Sequence, residues 1–176
     1  MDTRLKRAPG IYLTGLMGSG KTTVAQALAD LLGWDFADLD AEIESQERIP
    51  IAQIFETRGE SEFRRIEKDM IQRWRDRVER CVPTVIALGG GSFAQPGTFE
   101  LLRNHGISVW LDCPLETLEQ RIGAEAETRP LARDRNRFRS LYEERKEAYL
   151  RADFRIDADC SVDQAVERIM ALPFWK

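Results

Sequence analysis

Lys21 and Thr22 end the stretch Gly15-Leu16-Met17-Gly18-Ser19-Gly20-Lys21-Thr22, which fits the phosphate-binding pattern G-x-x-x-x-G-K-[ST]. Glycines let the backbone curl so that successive N–H groups point inward, and a helix that starts there adds its own unpaired N–H groups and the positive end of its dipole. A lysine at this place brings a full charge to the β- and γ-phosphates of a nucleotide. The threonine hydroxyl would face Mg²⁺. The alternative is a tight strand-to-helix turn with an incidental Lys-Thr pair.

Other residues of chemical interest follow. Asp38 and Asp40 are two apart, so on an extended segment they face the same side; if this strand neighbours the first, both carboxylates would lie near the phosphate loop. A solvated strand end, with Asp40 capping the next helix, is equally open. Arg64 lies at the edge of an apolar stripe and could pair with Glu60 one turn back or bind an anion. Gly89-Gly90-Gly91 closes an apolar run; such glycines suit close approach of backbone to a ligand or a turn with positive φ. Arg145 falls on the stripe of Phe138, Leu141, Tyr142, Tyr149 and Leu150. A guanidinium on a core-facing stripe is costly unless paired, and its planar fork suits a carboxylate. Arg129, Arg133 and Arg135 sit in the polar connection 123–136, long enough to read as a lid over a nucleotide or as a solvated loop.

The elements that must position these groups alternate. Ile11-Tyr12-Leu13 reads as a buried strand before the phosphate loop, and Val24, Ala27, Leu28 and Leu31 as the helix after it, ending at Gly33. Trp34 to Asp40 reads as a second strand. Residues 41–57 form two short helices broken before Pro50, and a longer helix follows Gly59 along Phe63, Ile66, Met70, Trp74 and Val78. Thr84–Leu88 and Ile107–Leu111 are continuous apolar runs, hence two-sided central strands. Helices are expected at 96–104, from Pro114 through Ile122, and along the Arg145 stripe. Phe154–Asp157 is a last short strand, and Ser161 with Gln164 forms a capping box for the final helix. Strand-helix alternation gives an α/β fold: a parallel sheet with helices on both faces and ligands at the carboxyl edge of its strands.

Composition narrows the function classes. The 176 residues suit one domain. The net charge of −4, with acids and bases interspersed, speaks against general affinity for nucleic acid or anionic lipid. Three scattered cysteines without a C-x-x-C suit a reducing cytoplasm. With His105 the single histidine, a His-rich metal site or Ser-His-Asp chemistry is excluded; its place at a helix end reads as structural. There is no transmembrane run or signal-peptide core.

Taken in order, the segments resemble the shikimate kinase family from Ile11 to the final helix. They are the phosphate loop, Phe36-Ala37-Asp38-Leu39-Asp40, Ile51-x-x-Ile54-Phe55, Gly59-Glu60-x-x-Phe63-Arg64-x-x-Glu67, Leu88-Gly89-Gly90-Gly91, Arg129-Pro130-Leu131 and Leu141-Tyr142-x-x-Arg145-x-x-x-Tyr149. The resemblance implies a P-loop NTPase fold of the nucleoside-monophosphate-kinase type. The single domain would span 1–176, with a shikimate-binding region over about 41–80 and a lid over about 123–136. It implies transfer of the γ-phosphoryl of ATP to the 3-hydroxyl of shikimate, on the route to chorismate, by a cytoplasmic monomer without nucleic-acid or membrane partners.

By position, Gly18, Ser19, Gly20, Lys21, Thr22 and Thr23 would hold ATP, and Thr22 with Asp38 would hold Mg²⁺. Asp40 would meet the ring hydroxyls and orient the reacting one. Arg64, Arg145 and the amides of Gly89, Gly90 and Gly91 would hold the shikimate carboxylate. Arg129 would close from the lid onto the phosphates, and Lys21, Asp40 and Arg129 would be the catalytic residues. The lid departs from the family at Ala132, where a second leucine is expected, and Arg121 lies near the place of an adenine-contacting arginine. The competing readings are another small-metabolite kinase of the same fold, for gluconate or a nucleoside monophosphate, and a catalytically silent binding relative.

Overall fold

A computed structural model describes residues 2–123 and 135–176. Five strands form one parallel sheet in the order β2-β3-β1-β4-β5: β1 (Gly10–Thr14), β2 (Asp35–Asp38), β3 (Thr84–Ala87), β4 (Ile107–Asp112) and β5 (Phe154–Asp157). The central β1 and its neighbour β3 are buried along their whole length, which is why their sequences are continuous apolar runs instead of alternating ones.

Their side chains still alternate between two cores. Ile11, Leu13, Val85, Ala87, Val109 and Leu111 pack on one face with α2 (Lys21–Leu32) and α8 (Val162–Met170). Tyr12, Ile86 and Trp110 pack on the other with α3 (Leu39–Glu47), α4 (Ile51–Glu79), α5 (Thr98–Leu102), α6 (Leu115–Gly123) and α7 (Arg135–Tyr149). A short amino-terminal helix, α1 (Thr3–Arg7), completes the set. The expected capping box opens α8: Ser161 accepts from the Gln164 amide while the Gln164 side chain accepts from the Ser161 amide.

Two expectations are corrected. Trp34–Asp40 is not one strand: β2 ends at Asp38, whose carboxylate accepts from the amides of Asp40 (3.0 Å) and Ala41 (3.1 Å) and so starts α3. That local bond outcompetes strand extension. Leu150 does not belong to the apolar side of α7; the helix stops at Tyr149 and Leu150 is 59% exposed.

The interruption at Gly59 is real. α4 runs through it, but Gly59 itself has φ 81° and ψ 169°, a combination open essentially to glycine alone. A Cβ there would meet nothing within 4 Å, so the cost of a side chain is purely conformational. Gly59→Ala is expected to lose about 1–3 kcal/mol, read as a drop in Tm of about 2–4 °C for each kcal/mol in thermal unfolding. An unchanged Tm would mean that this bend relaxes freely.

Candidate active site

Each strand delivers one loop to the same carboxyl edge of the sheet. The loop after β1 is the phosphate loop. Gly20 caps α2 in the left-handed conformation and contributes no side-chain acceptor, so the first N–H groups of α2 have no intrahelical partner and face outward for an anion. Gly15 has no room for a Cβ, which would sit 2.8 Å from the Leu111 carbonyl and 3.0 Å from Ser19 Oγ. Lys21 is only 9% exposed, and its ammonium donates to the Leu16 carbonyl across the loop at 3.0 Å.

The loop after β2 brings two carboxylates beside Lys21. Thr22 donates its hydroxyl to Asp38 Oδ2 at 2.5 Å. A hydroxyl and a carboxylate side by side make an oxygen-only donor pair, which fits a magnesium ion that keeps its other ligands as phosphate oxygens and water. Among the described residues no group of three or more His, Cys, Asp or Glu could hold a metal ion.

Asp40 follows on the first turn of α3. Its side chain is exposed to the open cleft, although the protein packed around the carboxyl is dense enough to shift its titration. Burial raises its pKa to about 6; Asp38, Glu67 and Glu44 add to the rise, and Lys21 opposes it. A carboxyl that titrates near neutrality can accept a proton from a substrate hydroxyl.

The loop after β3 is the glycine turn. A Cβ on Gly89 would lie 2.6 Å from Asp40 Oδ1 and 2.7 Å from Ser92 Oγ, so only glycine lets the turn pass this close to the carboxylate. Arg64 of α4 and Arg145 of α7 converge on Gly91: one Nη2 of each lies within 3.3 Å of the point its Cβ would occupy.

Arg64 is held by Glu67 (2.8 Å) and, as the helical spacing predicts, by Glu60 (3.3 Å). Glu67 is 3% exposed and accepts a second bond, from Ser92 Oγ, at 2.5 Å. Arg145 donates to the Gly90 carbonyl at 3.1 Å, and no carboxylate pairs with it among the described residues. The fork expected on the apolar stripe therefore turns onto the glycine turn, with Nη1 on the Gly90 carbonyl and Nη2 beside Gly91.

A cleft of about 520 Å³ joins the phosphate loop, the two aspartates and Gly90 of the glycine turn. Residues Met17 to Val24 line it together with Asp38, Asp40, Leu88, Gly90 and Arg121, and Ala158, Cys160, Ser161 and Val162 close its far end. It places Gly18, Ser19, Gly20, Lys21, Thr22 and Thr23 on one wall. Arg121 donates to the Gly18 carbonyl at 3.3 Å, so it braces the phosphate loop.

Arg129 and most of the expected lid lie outside the described residues. His105 makes a 2.7 Å contact with Glu79, away from these groups. Sequence reasoning missed three contributors. Glu67 anchors Arg64 and Ser92 holds Glu67; the sequence offers Glu67 only as a letter of the family motif, three residues after Arg64, with no role attached. The Ala158–Val162 segment shapes the cleft with no signal beyond its place after β5.

A family model described as shikimate kinase matches residues 17–172. A curated shikimate kinase of Persephonella marina is 42% identical over 149 residues, covering 85% of this chain and 88% of that protein. A solved structure of shikimate kinase from Acinetobacter baumannii in complex with shikimate superposes with a TM-score of 0.85 at 34% identity, covering 94% of this chain and 93% of that one. A deoxyadenosine kinase from M. mycoides superposes with a TM-score of 0.61 at 15% identity over 92% and 96% of the two chains, a likeness of fold alone. The match over nearly the whole chain, at these identities, settles the relationship: the chain belongs to the shikimate kinase family.

Proposed function

We propose that this protein transfers the γ-phosphoryl group of ATP to the 3-hydroxyl of shikimate, giving shikimate 3-phosphate and ADP. One observation carries the reading: two guanidiniums meet at Gly91, in the same turn whose Gly89 abuts Asp40. That arrangement seats a small acid with its alcohol facing a nucleotide.

Gly18, Ser19, Gly20 and the first turn of α2 hold the phosphates through their amides. Lys21 moves from the Leu16 carbonyl to the β- and γ-phosphates. Arg64 and Arg145 grip the shikimate carboxylate, helped by the amides of Gly89 to Gly91. Asp40 holds the ring hydroxyls and orients the reacting one. Phosphoryl transfer passes through a loose transition state, so positioning and charge stabilisation carry most of the catalysis. Proton acceptance by Asp40 comes late.

Thr22 and Asp38 would hold Mg²⁺, which when bound neutralises phosphate charge. Arg129, assigned by the family resemblance, would add a cation from the lid. The chain would act as a cytoplasmic monomer of one domain, with the acceptor region over about 41–80 and the lid over about 123–136. Among the described residues no helix is long and apolar enough to cross a membrane.

Arg145, which no carboxylate balances among the described residues, disfavours a kinase whose acceptor carries no carboxylate. A silent relative has no physical need for Asp40 beside Lys21. A coupled assay for ADP is expected to show turnover with shikimate and essentially none with gluconate or nucleoside monophosphates. ADP release with gluconate or a nucleotide in preference to shikimate would overturn the assignment.

A further inference from the structure

The Gly90 carbonyl receives two donors from α7, one helical turn apart. Arg145 Nη1 is one, at 3.1 Å, and the Tyr149 hydroxyl is the other. Tyr149 is 3% exposed, and its ring packs on Trp110 with centroids 5.9 Å apart. Burial raises its phenol to about 12, so the hydroxyl keeps its proton, and stays a donor, at any working pH.

The peptide between Gly90 and Gly91 is trans, as all described peptides are, so its C=O and N–H point in opposite directions. Whatever fixes the Gly90 carbonyl also fixes the Gly91 amide. Glycines have no side chain to hold that plane, and rotation about their φ and ψ is otherwise easy. The same carbonyl sets where the Arg145 fork begins.

We infer that Tyr149 is a positioning residue for the acid seat: its hydroxyl locks the Gly90–Gly91 peptide plane, and with it the Gly91 amide and the Arg145 guanidinium that receive the substrate carboxylate. The inference rests on the carboxylate seat proposed above. It deepens that seat by assigning its rigidity to a residue that never touches the substrate.

Tyr149→Phe tests it, since the ring packing is kept and the Gly90 carbonyl retains Arg145 as a donor. The loss of one neutral hydrogen bond predicts a shikimate KM raised about 5- to 10-fold. The kcat and the KM for ATP should stay within about 2-fold of wild type. Binding of an acceptor analogue with a neutral carboxamide, measured as a competitive inhibitor, should not change. A merely structural tyrosine would instead lower Tm and weaken acid and amide alike.

Incorporation of 4-aminophenylalanine at 149, which restores an N–H donor at the ring's tip, should return the KM toward wild type. It also serves as the working variant should the phenylalanine protein not fold. An unchanged shikimate KM in Y149F, equal losses for acid and amide, or no rescue would overturn the role of Tyr149 while leaving the kinase assignment standing. Absence of turnover with shikimate in the wild-type protein would overturn both.

Discussion

Asp40→Asn is expected to lower kcat by about 10²-fold or more, the usual scale for loss of a general base, and to remove the acid limb of the pH profile. The wild-type limb follows from the site. Burial, then the neighbouring carboxylates, raise the Asp40 pKa to about 6 in the free enzyme. The free enzyme's groups govern kcat/KM, so kcat/KM should fall about tenfold per pH unit below pH 6 and be level above it. In the asparagine variant the residual rate should lack that limb. Near-normal turnover would show that the transition state, being loose, needs no base here.

The same substitution acts on stability with the opposite sign. A carboxyl whose folded pKa lies above its unfolded value of about 3.9 binds more protons folded than unfolded between the two. Stability is therefore lost as pH rises from about 4 to 6, and the loss is complete above it. Asp40 is reached by water in the open cleft, so screening leaves only about 1 kcal/mol of this effect. Asp40→Asn should raise Tm by about 2–4 °C at pH 7.5 and leave it unchanged at pH 4. Opposite movement of rate and stability is the mark of a group kept for chemistry at a cost to the fold.

How much of this was legible in the residues differs from place to place. The phosphate loop and the central strands were readable because local rules decide them. Gly20 needs a left-handed conformation, and β1 and β3 are buried on both faces and so carry unbroken apolar runs. Asp38 and Asp40 were placed correctly beside the loop for a reason that did not hold. They share the cleft because Asp38 caps α3 and turns the chain, not because they face one side of a strand. Glu67 closes a family motif on α4, yet nothing in its spacing gives it a role. Its hydrogen-bond donor in the interior is Ser92, 25 residues further along the chain, and spacing alone does not reveal such a contact. Arg145 was the opposite case: a charge on an apolar stripe contradicts its helix, and a local contradiction of that kind points to a site.

Arg145→Lys is expected to raise the shikimate KM by about 10- to 100-fold, the range for losing a hydrogen bond to a charged group, with a smaller change in kcat. Net charge is unchanged, so the effect measures geometry. Arg145 uses Nη1 on the Gly90 carbonyl and keeps Nη2 beside Gly91; one planar group thus holds the turn and still presents a donor to the ligand. A lysine has a single ammonium at the end of a flexible stem, so reaching the Gly90 carbonyl takes it from the acid. Arg64 cannot compensate, because Glu67 and Glu60 already neutralise it and hold it in place. Binding studied with shikimate alone should show the same loss, since the contact is made before any phosphoryl transfer. Equal affinity for shikimate in the two proteins would remove Arg145 from the acid seat and leave the convergence at Gly91 without a ligand.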